Sequence, residues 1–210
     1  MPRGYFVAGT DTDVGKTVVS AALTLALGAS YWKPVQTGSP ADRAQIQGWT
    51  QFPDSRFAPE QWRFPLPASP HIAARAAGGR IELRDLRPPW LEGAAAEASW
   101  IVEGAGGVLV PLNEREMMAD LIARLGLPVI VVARTRLGTI NHTLLTLEAL
   151  RHRQLTIACV VMNGEPQPEV AETIKNLGNT PLARMRPISI TSVNLLKTGE
   201  AILGEIDFKK

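Results

Sequence analysis

The sequence has a single cysteine, Cys159, among 210 residues. One thiol cannot form a disulfide within the chain, and it leaves too few ligands for a cysteine-based zinc cluster. Its place in the apolar run 157–162 marks it as a buried strand residue. Long hydrophobic runs are missing too. No stretch approaches the roughly 18 apolar residues of a membrane span. The apolar stretch 5–8 is too short for a signal peptide. These absences point to the cytoplasm, with no membrane partner. Concentrated charge is also absent: 22 Lys and Arg against 20 Asp and Glu give a net +2, and the basic residues are scattered. A nucleic-acid binder would carry a basic face, so no nucleic-acid partner is expected. No repeat or low-complexity tract is visible, and a chain that is 45% hydrophobic suits one well-packed domain over residues 1–210.

What is present is an alternation of short apolar runs and helical patterns. Strands are predicted at 5–8, 31–35, 100–103, 128–133 and 156–163. Helices are predicted at 18–27, 116–124, 140–152 and 168–177. Runs of Val and Ile without polar alternation predict strands buried on both faces. Strand–helix alternation of this kind predicts an α/β fold, a mostly parallel sheet with helices on both faces. Two stretches break the rhythm. Residues 51–70 carry five prolines and read as an irregular excursion, and 80–99 reads as one or two short helices interrupted by Pro88 and Pro89.

Between the first strand and first helix lies Gly9-Thr10-Asp11-Thr12-Asp13-Val14-Gly15-Lys16-Thr17. In that context it reads as a phosphate-binding loop for ATP with magnesium, in a P-loop NTPase fold. Backbone N–H groups at a helix start face phosphates, and the helix dipole favours negative charge there. Gly15 lets the backbone approach closely, Lys16 reaches the β- and γ-phosphates, and the Thr17 hydroxyl ligates magnesium. Asp13, Val14 and Val18 complete the cradle. Five residues, rather than the usual four, separate Gly9 from Gly15. Partitioning proteins with related loops often carry a signature lysine where this chain has Asp11, which argues against that branch.

Further candidates follow along the chain. Glu103 is expected to end the third strand and open Glu103-Gly104-Ala105-Gly106-Gly107, where ligands bind in open α/β sheets. It reads as a carboxylate for magnesium, or as a solvated turn residue. Asp42 reads as a further metal-side carboxylate or as a helix N-cap. Lys33, in an otherwise apolar strand, reads as a second cation facing the γ-phosphate, or as an edge lysine that snorkels. At an effective dielectric near 20, such a charge about 4 Å away contributes on the order of 4 kcal/mol.

The loop, Lys33-Pro34-Val35-Gln36-Thr37-Gly38, Ser69-Pro70-His71, Val102-Glu103-Gly104-Ala105-Gly106-Gly107 and Leu137-Gly138-Thr139-Ile140-Asn141-His142 occur in this order. Together they resemble the dethiobiotin synthase family. The resemblance implies a homodimer that uses ATP and CO2 to carboxylate and cyclise 7,8-diaminononanoate, through a carbamate and a mixed carbamic–phosphoric anhydride. It implies catalytic roles for Thr12, Lys16 and Lys33, and magnesium on Thr17, Asp42 and Glu103. It places nucleotide contacts on residues 13–18, Gly104, Ala105, Gly106, Asn163 and Gly164, with Asn163 reading the adenine beside Pro187, Ile188 and Ser189. It assigns Thr37 to the substrate, and Gly138, Thr139 and Asn141 to the substrate carboxylate from the neighbouring subunit. The segment 181–187 is more basic than its usual counterpart in that family, and the link of Gly28, Ala29 and Ser30 is short.

Other residues carry plainer expectations. His142 reads as a hydrogen-bonded structural histidine, His71 as a buttress of a helix near the site, and His152 as solvent-facing at a helix end. The tryptophans, including Trp49, Trp62 and Trp90 in irregular segments, read as core anchors. A nucleotide-switched partitioning protein, and an amidoligase domain of corrinoid synthesis, are the alternative functions.

Overall fold

The computed structural model describes residues 3–91 and 98–206. In chain order the elements are β1 (Arg3–Gly9), α1 (Lys16–Leu27), β2 (Ser30–Trp32), β3 (Val35–Thr37), α2 (Asp42–Thr50), β4 (Trp62–Phe64), α3 (Pro70–Ala76), β5 (Ser99–Gly107), α4 (Met118–Leu125), β6 (Val129–Arg134), α5 (Thr139–His152), β7 (Ile157–Asn163), α6 (Pro168–Gly178), β8 (Leu182–Met185) and α7 (Ser192–Glu205). Short 3-10 turns occur at Asp54–Arg56, Leu83–Asp85 and Pro89–Leu91. The expected helical stretch 80–99 is thus partly realised as turns, and its residues 92–97 lie outside the described residues.

Six strands form one parallel sheet in the order β2-β5-β1-β6-β7-β8. Successive residues point to opposite faces, and both faces are covered. Phe6, Trp32, Val102 and Val131 enter one core, closed by Leu121 of α4, Leu147 of α5 and Ile174 of α6. Tyr5, Tyr31, Ile101 and Val132 enter the other, closed by Leu23 of α1, Ile46 of α2 and Leu195 of α7. Burial on both faces is why the strands read as unbroken apolar runs.

Three expectations are corrected. The predicted strand 31–35 is two strands. Pro34 lacks the N–H that a ladder needs, and its carbonyl instead accepts from Gln61 N and Trp62 N at 3.1 and 2.9 Å. The chain leaves the main sheet there, and β3 pairs with β4 in a separate two-stranded parallel sheet. The proline-rich excursion therefore contains β4, and Trp49 lies in α2 rather than in an irregular segment. Past residue 177 the chain forms β8 and α7. In α7 only Leu195, Gly199 and Ile202 are buried, a single stripe, while Val193 and Leu196 on the same helix are exposed. Among the described residues no helix is long and apolar enough to cross a membrane.

The α1–α7 contact has a checkable consequence. A Cβ on Gly199 would lie 2.2 Å from the Ala22 carbonyl oxygen of α1. Backbone cannot yield as a flexible side chain would, so Gly199→Ala must push the helices apart. We expect a loss of about 1–3 kcal/mol in urea denaturation; an unchanged midpoint would show that the contact is looser than this.

Candidate active site

The loop between β1 and α1 is shaped by its own backbone. Gly15, the N-cap of α1, has φ 98°, and Asp13 has φ 56°. A Cβ at Gly15 would meet Asn163 Nδ2 at 2.1 Å. That amide, at the end of β7, donates to the Val14 carbonyl at 2.9 Å and so ties the loop to the sheet. Lys16 is buried, and its Nζ donates to the Asp11 carbonyl at 2.8 Å. Burial, reinforced by the charge of Lys33, pulls Lys16 below the ordinary lysine value despite the nearby Glu103.

Beside the loop lies a buried charge cluster. Glu103 Oε1 accepts from the Thr17 hydroxyl and from Lys33 Nζ, each at 3.1 Å. Glu103 Oε2 accepts from the Tyr31 hydroxyl at 3.1 Å. Lys33 also pairs with Asp42. Burial opposes the Lys33 charge, but Glu103 and Asp42 outweigh it and hold its pKa above the usual lysine value. Burial and Glu103 raise Tyr31 well above an ordinary phenol, so it remains a donor.

Glu103 does not end its strand, contrary to the sequence reading: β5 continues to Gly107. Val7 pairs with Glu103 and Gly9 with Gly107, so β5 bulges through Gly104, Ala105 and Gly106 beside the loop. Asp42 is the first residue of α2. Ala41 is the N-cap, so the capping alternative for Asp42 is not realised.

These residues open onto one cavity of about 900 Å³. Of the predicted residues, Thr12, Asp13, Gly15, Lys16, Thr17, Val18, Lys33, Thr37, Asp42, Glu103, Ala105 and Gly106 line it. Val14 and Gly104 are buried and do not. Asn163 and Gly164 close β7, where Gly164 N donates to the Met185 carbonyl of β8 at 3.0 Å. This brings them beside the start of the segment with Pro187, Ile188 and Ser189, outside the cavity lining. Gly138, Thr139 and Asn141 lie at the start of α5, also away from the lining. Gly138 is the N-cap at φ 91°, Thr139 is buried, and Asn141 is exposed.

Several contributors were not anticipated. Tyr31 was read only as strand; its signal was a phenol in a strand buried on both faces, which needs a partner. Gln36 is buried, and its side-chain oxygen accepts from Asp42 N at 3.3 Å. Gln45, Trp49 and the stretch from Pro67 to Pro70 supply the far wall. Gln36, Ser69 and Pro70 lie in two of the motifs quoted above, but no local motif marks Gln45, Trp49, Pro67 or Ala68, which meet the site only in the folded chain. His71 pairs with the Ser69 hydroxyl at 3.0 Å at the start of α3. His142 is exposed, and its ring makes no hydrogen bond among the described residues, which corrects the structural reading. His152 is exposed in the last turn of α5.

A donor set of one hydroxyl and two carboxylates is hard-oxygen chemistry that would suit magnesium. Among the described residues no group of three or more His, Cys, Asp or Glu side chains forms a metal site by itself.

Known proteins resemble this chain over most of its length. The AAA domain family model matches residues 3–189. The ATP-dependent dethiobiotin synthetase of Paramagnetospirillum magneticum is 48% identical over 188 residues, covering 89% of each chain. That of Afipia carboxidovorans is 44% identical over 192 residues, covering 90% of each. Among solved structures, a ParA family ATPase from Chlorobium tepidum matches with TM-score 0.55 at 14% identity, covering 100% of this chain and 93% of that one. The septum site-determining protein MinD from Pyrococcus horikoshii matches with TM-score 0.54 at 14% identity, over 98% and 95%. At such identities the two structures speak for the fold alone. The close relatives go further, and on their identity and coverage the chain belongs to the ATP-dependent dethiobiotin synthetase family.

Proposed function

We propose that this ATP-dependent ligase of biotin biosynthesis, a single cytoplasmic domain, carboxylates 7,8-diaminononanoate with CO2 and closes the ureido ring, giving dethiobiotin, ADP and phosphate. The observation that carries the reading is one cavity lined by two buried lysines and three hard-oxygen donors. One substrate amine adds to CO2, forming a C–N bond and losing a proton, to give a carbamate. The carbamate oxygen attacks the γ-phosphorus, the bond to the β-phosphate oxygen breaks, and ADP leaves. The second amine attacks the carbonyl carbon of the resulting anhydride, the bond from that carbon to the phosphate oxygen breaks, and phosphate departs as the nitrogen gives up a proton and the ring closes.

An anion attacking a polyanion needs cations at the reacting oxygens. Lys16 holds the β- and γ-phosphates. Lys33, kept protonated by Glu103 and Asp42, faces the γ-phosphate and the carbamate. Thr12 and Asp13 line the tip of the loop beside them, and Thr37 positions the diamine. Thr17, Asp42 and Glu103 would hold magnesium, which would neutralise charge on the triphosphate. Residues 13–18 with Gly104, Ala105 and Gly106 cradle the phosphates. Asn163, Gly164, Pro187, Ile188 and Ser189 take the base. Gly138, Thr139 and Asn141 of a second copy receive the substrate carboxylate at the start of α5. Leu137 and Leu145, exposed on the same element and its approach, support that homodimer.

Purified protein with ATP, magnesium, bicarbonate and the diamine is expected to release phosphate and form dethiobiotin. Nucleotide turnover that ignores the diamine would sink the reading. Asn141→Ala is expected to raise the diamine KM about tenfold or more while leaving the ATP KM near wild type. An equal change in both would remove Asn141 from the acceptor side.

A further inference from the structure

We propose that Arg134 is a positioning residue of the phosphate loop, holding its front half through Asp11 and balancing the charge of that carboxylate. The loop is tied from the sheet at two points. Asn163 at the end of β7 holds the Val14 carbonyl. Arg134, its ladder partner at the end of β6, reaches Asp11 Oδ2 at 2.8 Å. Asp11 is then engaged three ways. Its Oδ1 accepts from Thr12 N at 2.7 Å, its Oδ2 from Arg134, and its carbonyl from Lys16 Nζ at 2.8 Å. The orientation of Asp11 therefore decides where Lys16 starts from when phosphates arrive.

Charge makes the same point. Asp11 and Asp13 place two carboxylates in a loop that must accept a polyanion. Arg134, at the end of β6, supplies a cation to the first of these carboxylates. The pair is partly exposed, at 35% for Arg134 and 48% for Asp11, so it adds little to global stability. Its effect falls on the loop.

The inference rests on the loop holding the ATP triphosphate and is independent of the diamine chemistry. The test measures binding of magnesium with a non-hydrolysable ATP analogue by calorimetry, beside steady-state kinetics and thermal melting, on the full chain. Arg134→Gln is expected to weaken analogue binding and raise the ATP KM about tenfold, with kcat at saturating ATP and the melting temperature nearly unchanged. Adding Asp11→Asn to Arg134→Gln should recover most of that affinity, because the charge to be balanced is gone. Arg134→Lys should stay close to wild type. The proposal is overturned if Arg134→Gln binds like wild type, if Arg134→Lys is as impaired as Arg134→Gln, or if Asp11→Asn brings no recovery. Because analogue binding does not involve the diamine, failure of the ligase reading would leave these affinities interpretable, and the two outcomes are separable.

Discussion

Lys33→Ala is expected to lower kcat about a thousandfold, a loss typical of removing a cation or donor aimed at transition-state charge. The same substitution has a second effect. Lys33 sits at 5% exposure between Glu103 and Asp42, and Glu103 is itself at 1%. Removing the cation leaves the buried Glu103 carboxylate, and the partly buried Asp42, without their partner, which costs about 3–5 kcal/mol. Activity and stability therefore fall together in the alanine variant, and a single assay cannot separate them. Lys33→Arg separates them. It retains the charge, so stability should largely return in denaturant titrations. Its wider fork does not fit the position of the ammonium, so turnover should remain at least about a hundredfold low. Near-wild-type turnover in either variant would remove Lys33 from the chemistry.

Gly15→Ala is expected to abolish measurable ATP binding, a loss of about a hundredfold or more. Two costs combine. A left-handed φ of 98° disfavours any Cβ, by about 1–2 kcal/mol. The new atom would also lie 2.1 Å from Asn163 Nδ2, so the amide that ties Val14 must move. The loop then loses both its conformation and its anchor, while the two cores are untouched. Direct titration with nucleotide checks this. ATP affinity within tenfold of wild type would show that the loop tolerates the displaced anchor.

The nucleotide half of the site was legible because its chemistry is local. Nine consecutive residues between a strand and a helix specify the phosphate loop, and Lys33 and Glu103 stood out as charges in apolar runs. The central strands were equally plain, since burial on both faces removes polar alternation. What was not legible depends on register or on weak local patterns. The Tyr31–Glu103 hydrogen bond exists because β2 lies beside β5 with Tyr31 opposite Ile101, which no spacing in the sequence announces. The Arg134–Asp11 pair joins residues 123 positions apart. Helix α2 was missed because only Ile46 and Thr50 are buried in it, too few to set a period. The split of 31–35 was foreshadowed by Pro34, but the runs on either side looked like one strand.

That split has an evolutionary consequence. Downstream of Lys33 the chain leaves the nucleotide-binding sheet and builds the opposite wall from β3, α2 and the stretch up to Pro70, before returning at β5. The two walls face each other across the cavity, join at the Lys33 cluster, and are also tied by Ile46 and Phe57 in the core beside α1 and by Ala58 N, which donates to the Tyr31 carbonyl at 3.0 Å. Substitutions at the cavity-lining positions Gly38, Ser39, Gln45, Trp49, Pro67 and Ala68 can therefore reshape the far wall of the cavity, provided Asp42, Ile46 and Phe57 are kept, while the phosphate loop and the order of the main strands stay fixed. A library confined to those six lining positions is where altered acceptor preference should arise with ATP use intact.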